Sequence, residues 1–352
     1  MNAPFYAAAA TSRSPGGGLL LRPMRAKATA VSAHSDVARH LVIAYRPGWQ
    51  SLADLNDIRR HVADIDPTID TFIVPSTARN SVTRRHAATR PSLVVSNGRM
   101  IDFRPARGRI YQGLPIPKSE ELRRLAAAGV PIPRTAILTP DLRLDEAEWG
   151  EFVLVKPTDI ATSSHGHGFR LMRTRRARFI HPAHYPPDHP GRLGPMIVQQ
   201  FIDTGEKLQS HRVTTFFGEP ISALLHTSTA KPIDLTAPDA EIESAVVAIQ
   251  GGGSRISEFM DDPDVLKLAR RAHDALPEIP LKGCDILREA STGRLYVIEL
   301  NCGGNTWHFS SDFMAERRQK NGPEFELRRR QQFDAMRTAA RALVERTNAE
   351  AE

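Results

Sequence analysis

The chain has 352 residues, enough for two or three domains, and its 41% hydrophobic and 25% charged content is ordinary for a globular protein. No apolar run approaches the ~18 residues that a membrane helix requires, so a helical membrane protein is excluded. The net charge of +7 is supplied mainly by arginine, with no CxxC finger, basic heptad or aromatic-rich basic strand beside it. That argues against a nucleic-acid partner and favours a solvated surface with affinity for an anionic substrate.

Residues 1–36 are rich in Ala, Ser, Gly and Arg, lack periodicity and read as a disordered leader. His40–Tyr45 predicts a strand. Ser51 predicts a helix through about Val62, with Asp54 in the capping-box position. Thr71–Pro75 and Ser92–Ser96 are further strands, so residues 37–111 read as a small parallel α/β unit. Ser119 opens a helix that Gly129 closes, with Glu120 and Glu121 in the first turn where the dipole favours them. Strands follow at Ala136–Leu138, Phe152–Pro157 and Met196–Ile202, then a hairpin over Arg212–Ile221 turning at Gly218-Glu219. From Pro323 onward the chain reads as helix. The arginine clusters at 173–178 and 328–330 read as exposed faces.

The chemistry concentrates late in the chain. Lys282–Arg288 and Leu295–Asn301 are β-rich runs around a Ser291-Thr292-Gly293 turn, a predicted hairpin. Glu299 and Asn301 are two apart on one strand and share a face, with Ile298 and Leu300 on the other. A turn centred on Thr292 sets Asp285 opposite Glu299. Two carboxylates and an amide oxygen on one strand face suit a hard cation, Mg²⁺ or Mn²⁺, whose remaining positions commonly go to water and phosphate. A solvent-facing edge hairpin is the plainer alternative. Earlier, Lys156 ends an apolar strand and precedes a Gly/Ser-rich loop, Thr162–Phe169, whose backbone amides could approach phosphates. Cys284 and Cys302 flank the carboxylates. Free thiols in a reducing, cytoplasmic setting are the simpler reading, a disulfide the other.

The order of these features, from the strand-ending lysine through Gln199-Gln200-Phe201-Ile202 and an Arg-led strand to Asp285…Glu299-x-Asn301, resembles the ATP-grasp superfamily over about residues 109–309. The resemblance implies an α/β fold, α+β in two lobes clasping ATP, preceded by a small parallel pre-grasp domain. The implied division is a leader (1–36), a pre-grasp domain (37–111), a central lobe with a glycine-rich lid (112–200), a C-terminal lobe with the metal hairpin (201–322) and a C-terminal helix (323–352). It implies Lys118 and Lys156 as ATP lysines, and Ser164, Gly166, His167 and Gly168 as the lid over the phosphates. Gln200, Phe201 and Ile202 become the adenine hinge and Glu206 a ribose contact. Arg212 becomes a substrate or phosphate arginine, and Asp285, Glu299 and Asn301 hold Mg²⁺ (or Mn²⁺). The loop Cys302–Trp307 follows the last ligand, so Asn305 and Trp307 are expected at the second substrate, although Trp307-His308 could instead anchor the C-terminal helix. Gly251–Arg255 is a linker or an anion-binding turn in which Arg255 assists the transition state.

Departures from the family pattern are Gln200 in place of a hinge Glu, Ser210 in place of an Asp, and a proline-rich 178–195 where a helix is usual. The partners implied are ATP, a carboxylate substrate of unknown identity and an amine or thiol acceptor. The activity implied is ATP-dependent carboxylate–amine or carboxylate–thiol ligation, with a phosphotransferase or a non-catalytic nucleotide-binding module as alternatives. His181, His184 and His189 lie among prolines with no cysteine partner, which suits a polar loop better than zinc. Ser210-His211 are strand neighbours that face opposite ways, so they make no nucleophile–base pair.

Overall fold

The computed structural model describes residues 37–79, 81–158, 168–245 and 255–352. Its first sheet is parallel, with order β2-β1-β3-β4: β1 (Arg39–Tyr45), β2 (Ile69–Pro75), β3 (Ser92–Ser96) and β4 (Arg109–Gln112). Leu41, Ile43, Leu93 and Val95 face one side and Val42, Ala44 and Val94 the other, so both faces are buried and the strands read as unbroken apolar runs. Helix α1 (Leu52–Ile65) covers the first side with Leu55, Ile58 and Val62, whose spacing places them on one helical stripe. The short α2 (Val82–Ala87) contacts β1 and β2 on the second side, where Ala87 joins the core.

The capping box expected at α1 is half formed. Ser51 Oγ accepts from Asp54 N at 3.2 Å, but Ser51 N donates to Ser310 Oγ instead. The Asp54 carboxylate is thereby released to bind elsewhere.

A second sheet is antiparallel with order β5-β8-β6-β7. It is entered through α3 (Lys118–Ala127) and comprises β5 (Thr135–Ile137), β6 (Phe152–Pro157), β7 (Arg170–Arg173) and β8 (Met196–Gln200). The short α4 (Glu146–Trp149) seats Trp149 in its core. Gly129, at φ +67°, ends α3 in the left-handed conformation. Residues 178–195 form two single 3₁₀ turns, Pro182–His184 and Pro190–Arg192, in keeping with their prolines.

The third sheet has order β11-β10-β9-β12-β13: β9 (Gln209–Phe216), β10 (Glu219–Ser228), β11 (Arg255–Phe259), β12 (Leu281–Arg288) and β13 (Leu295–Asn301). The β9–β10 turn is Phe217-Gly218, at φ +48° and +92°, one residue earlier than expected. Positive φ at both turn residues suits the right-handed twist of the flanking strands. Between β10 and β11 the short α5 (Asp239–Ser244) packs on β7. Helix α6 (Pro263–Asp274) lays Val265, Leu268, Ala269 and Ala272 onto Val213, Cys284, Ile286 and Val297, covering one face of this sheet.

After α7 (Ala315–Asn321), the chain from Pro323 onward forms two helices where one was expected, α8 (Pro323–Gln331) and α9 (Ala335–Glu350). Asp334 in the left-handed region (φ +46°) separates the last two. Helix α9 packs against α1, β1, β3 and β10, so the end of the chain closes the core of the first sheet. No helix among the described residues is long and apolar enough to cross a membrane.

Candidate active site

With one face of the third sheet taken by α6, its other face lines a cavity of about 660 Å³, within the usual range for small-molecule sites. The second sheet supplies Leu154, Lys156, Gln199 and Gln200, and the first contributes Arg46, Trp49 and Arg99 from the loops beside it.

The β12–β13 register pairs Asp285 with Glu299 and Gly283 with Asn301, as the centred turn predicts. A β-bulge shifts the register between Asp285 and Ile286. It corrects one expectation: Ile298 falls in the bulge and lines the cavity, while Val297 and Leu300 enter the core beneath α6. The carboxylates are nevertheless side by side on the cavity face.

Each carboxylate is held by a cation. Arg212, opposite Asp285 on β9, donates from Nε to Oδ1 at 2.5 Å and from Nη2 to Oδ2 at 2.7 Å, a bidentate fork. Asn301 Nδ2 donates to Asp285 Oδ2 at 3.1 Å and to Gly283 O at 3.3 Å, so its amide oxygen remains for other use. Lys118, at the start of α3, pairs with Glu299 Oε1. Burial raises the Asp285 carboxyl, and Glu299 adds to the rise against the pull of Arg212. For Glu299 burial is outweighed by Lys118, which with Lys156 and Arg212 holds it low.

Lys156 is buried, donates to Gln199 Oε1 at 2.8 Å and is pushed down to about 8, by burial first and then by Lys118. Gln199 is fixed in turn by Thr135 Oγ1 at 3.0 Å. Sequence reasoning singled out Gln200 and overlooked Gln199. The β6–β8 register sets Gln199 opposite Leu154, on the same face as Lys156, and only strand pairing could reveal that. Glu121 sits in the first turn of α3, where the helix dipole favours it, but its role is a larger one. It is buried, accepts from Leu300 N at 2.5 Å and is raised to about 8 by burial and by Glu299. It therefore stays protonated at neutral pH and braces the strand between Glu299 and Asn301.

Gln200, Phe201 and Ile202 all line the cavity at the link between second and third sheets, with Gln200 N bonded to Arg134 O and Phe201 N to Phe152 O. Gly168 (φ +78°) lies outside the lining, against Pro190, while its neighbour Phe169 lines the wall 6.0 Å from Lys156 Nζ. Ser164, Gly166 and His167 lie outside the described residues, as does the leader. Glu206 is exposed and does not line the cavity, although Thr204 and Leu208 on either side do.

The Cys302–Trp307 segment is split by the structure. Asn305 is exposed and lines the cavity. Gly304 (φ +90°) abuts the Asn97-Gly98 turn so closely that a Cβ would sit 2.2 Å from Asn97 O. Trp307 corrects the expectation of a stacking face: it is fully buried, and its Nε1 donates to Asp54 Oδ2 at 2.9 Å. It packs on Phe216 and Phe309 in the core shared with α1 and α9, so no face is left for a substrate. Arg330 pairs with the same Asp54 at 2.7 Å.

Arg255 and His308 line the cavity beside Asn305 and Thr306. Arg329 is 2% exposed, which corrects the reading of 328–330 as a solvated face. His211 takes no part in the lining. His181 and His189 accept from Ala183 N and Gly191 N inside their turns. Both cysteines are free and buried, and burial pushes Cys302 up to about 12, far from a reactive thiolate.

No family model and no curated protein matches the chain. Among solved structures it is similar to ATP-grasp ligases. One is PsnB complexed with minimal precursor, at 15% identity and TM-score 0.49 over 88% of this chain and 100% of that one. The D-cycloserine synthetase DcsG aligns at 16% identity and TM-score 0.45, over 88% and 99%. D-alanine–D-alanine ligase from Bacillus anthracis complexed with ATP aligns at 14% identity and TM-score 0.42, again over 88% and 99%.

Proposed function

We propose that the chain is a Mg²⁺- and ATP-dependent ligase that activates a substrate carboxylate as an acyl phosphate for attack by an amine or thiol. The observation carrying this reading is the facing pair Asp285 and Glu299, set on one wall of the cavity with Lys118 and Lys156 close by. Like charges in direct register destabilise a hairpin unless something neutralises them. Arg212 and Lys118 do so here, each leaving lone pairs on the carboxylate oxygens, and Asn301 adds an uncharged oxygen. That oxygen-only donor set fits Mg²⁺, which would supply charge neutralisation for phosphate oxygens when bound.

The roles of the chain's own residues follow from position. Lys156 and Lys118 neutralise phosphate charge, and the Gln200–Ile202 backbone and side chains bound the base. Arg212 orients Asp285 through its bidentate fork and opposes the rise that burial gives its carboxyl. Glu121, neutral, fixes the strand carrying Glu299 and Asn301. Catalysis on this reading is positioning and charge stabilisation, with no enzyme nucleophile. The test is ADP release from Mg²⁺·ATP by the purified chain with a panel of carboxylic acids and hydroxylamine as trapping amine. Hydroxamate formed in step with ADP supports an acyl phosphate. ADP release together with a stable phosphorylated product and no hydroxamate favours a phosphotransferase.

A further inference from the structure

The first sheet ends in an unpaired edge. Its strand order sets β2 outermost, with β1 on one side and no strand on the other among the described residues. In a parallel ladder the N–H and C=O of one residue point to the same side, and that side alternates along the strand. Ser76 N donates to Tyr45 O and Thr68 O accepts from Ala38 N, so the even-numbered residues of this stretch face β1. Thr71 and Ile73 therefore turn their backbone N–H and C=O outward, and Pro75, which has no N–H, ends the row. A free edge of this kind is a template for another strand.

A groove of about 430 Å³ runs along this edge. Helix α1 supplies one wall with Leu52, Asn56 and Arg59, and Thr83 of α2 belongs to the other. Thr71, Phe72 and Ile73 form the floor. Leu52 is 50% exposed, and Thr71, at 8%, has a buried Oγ1 with no hydrogen-bond partner among the described residues. A buried hydroxyl without a partner costs free energy that an incoming polar group recovers. The walls are largely apolar and the strand edge between them is polar, which is what an added strand requires. Arg59 is the one charged residue in the lining and makes no ion pair among the described residues. Nearby, Asp57 is paired with Arg60, and Asp70 stands at the start of β2. Residues 37–112 hold twelve arginines against six aspartates, with no lysine or glutamate, so this part of the chain carries +6. A second copy pairing edge to edge would oppose like charge to like, and residues 1–36, with four basic residues and one acid, have the same sign. The complement is an acidic segment of another protein.

We propose that the outer edge of β2, in the groove between α1 and α2, docks an extended acidic segment of a partner protein, which adds to the first sheet as a further strand. Tyr45 lines this groove and Arg46 the large cavity, so the two adjoin at the end of β1, but the proposal does not depend on the ligase reading. The full chain is titrated into a fluorescein-labelled heptapeptide that alternates glutamate and valine, and into versions with lysine for glutamate or with a central proline. Binding is read by anisotropy. The acidic peptide is expected to bind about tenfold or more tighter than either control, because lysine is repelled by the arginines and proline removes a ladder donor. Arg59→Glu, at an exposed position outside the large cavity, should weaken it by about fivefold or more, and Arg59→Gln by less. Amide exchange followed by NMR should slow at Thr71 and Ile73 on binding, with Phe72 and Val74, already turned to β1, unchanged. No binding of the acidic peptide, equal binding of either control, or unaltered exchange at Thr71 and Ile73 overturns the proposal. So does unchanged affinity in both Arg59 variants, with thermal unfolding checking that each folds and Arg59→Gln deciding if Arg59→Glu does not. A chain that sediments as a dimer with the Thr71 and Ile73 amides already protected assigns the edge to a second copy and overturns the acidic partner.

Discussion

Replacing Lys156 with methionine should move stability and nucleotide affinity in opposite directions. The ammonium is buried and its pKa falls from 10.5 to about 8, which corresponds to about 3 kcal/mol of unfavourable charge burial at neutral pH. The unfolded chain keeps this lysine charged up to 10.5. The cost is therefore fully present below pH 8 and fades as pH rises from about 8 to 10.5. Methionine fills similar volume without the charge, but leaves Gln199 Oε1 without its 2.8 Å donor, a loss of about 1 kcal/mol or more. The net expectation is an unliganded protein more stable by about 1–2 kcal/mol, with the gain shrinking above pH 8. A charge-assisted bond to phosphate is worth about 1.5–3 kcal/mol, so ATP should bind roughly 10- to 100-fold more weakly. Urea unfolding at pH 7 and pH 10 and calorimetric ATP titration read the two arms. A variant that is less stable at pH 7 refutes the desolvation argument, and one that binds ATP as tightly as wild type refutes the phosphate role.

Asp285→Asn and Glu299→Gln should each abolish Mg²⁺-dependent ATP turnover while near-UV circular dichroism stays native, and turnover at the wild-type rate in either would remove the metal assignment. Asn305→Ala should lower acceptor-dependent turnover with little change in ATP affinity. Trp307→Ala should instead destabilise the whole protein by about 3–5 kcal/mol, because it empties a core site and removes the indole donor to Asp54 Oδ2. A Trp307→Ala protein with native stability and impaired acceptor use would reverse that assignment. His226, His273 and His308 are held neutral well below their usual range by burial. The unfolded chain takes up protons first, so stability is full above about pH 6.5 and falls below it, by up to about 1.4 kcal/mol per pH unit per histidine. Urea midpoints that stay level from pH 7.5 to pH 5 would contradict this.

Local pattern alone determined a good deal. Strands β1, β2 and β3 were legible because a parallel sheet covered on both faces needs continuous apolar runs, and the β12–β13 pairing because a short turn sets its own register. Asp285 opposite Glu299 is a consequence of counting by two from that turn. What local pattern could not carry was anything decided by distant packing. Trp307 looks the same in sequence whether it stacks on a ligand or fills a core. Its fate was settled by Asp54, 253 residues earlier, which the unfinished capping box leaves free to accept the indole N–H. Gln199 rather than Gln200 meets Lys156, and Glu121 braces Leu300 N, because sheet pairing and helix docking bring together groups that hydropathy treats as unrelated. The bulge that turned Ile298 toward the cavity is likewise a tertiary choice, made where Arg212 on β9 takes Asp285 in its fork. Periodicity reports which face a residue shares with its neighbours in sequence. Only the assembled structure decides what that face meets, because burial and charge pairing depend on groups that the chain brings together from far apart.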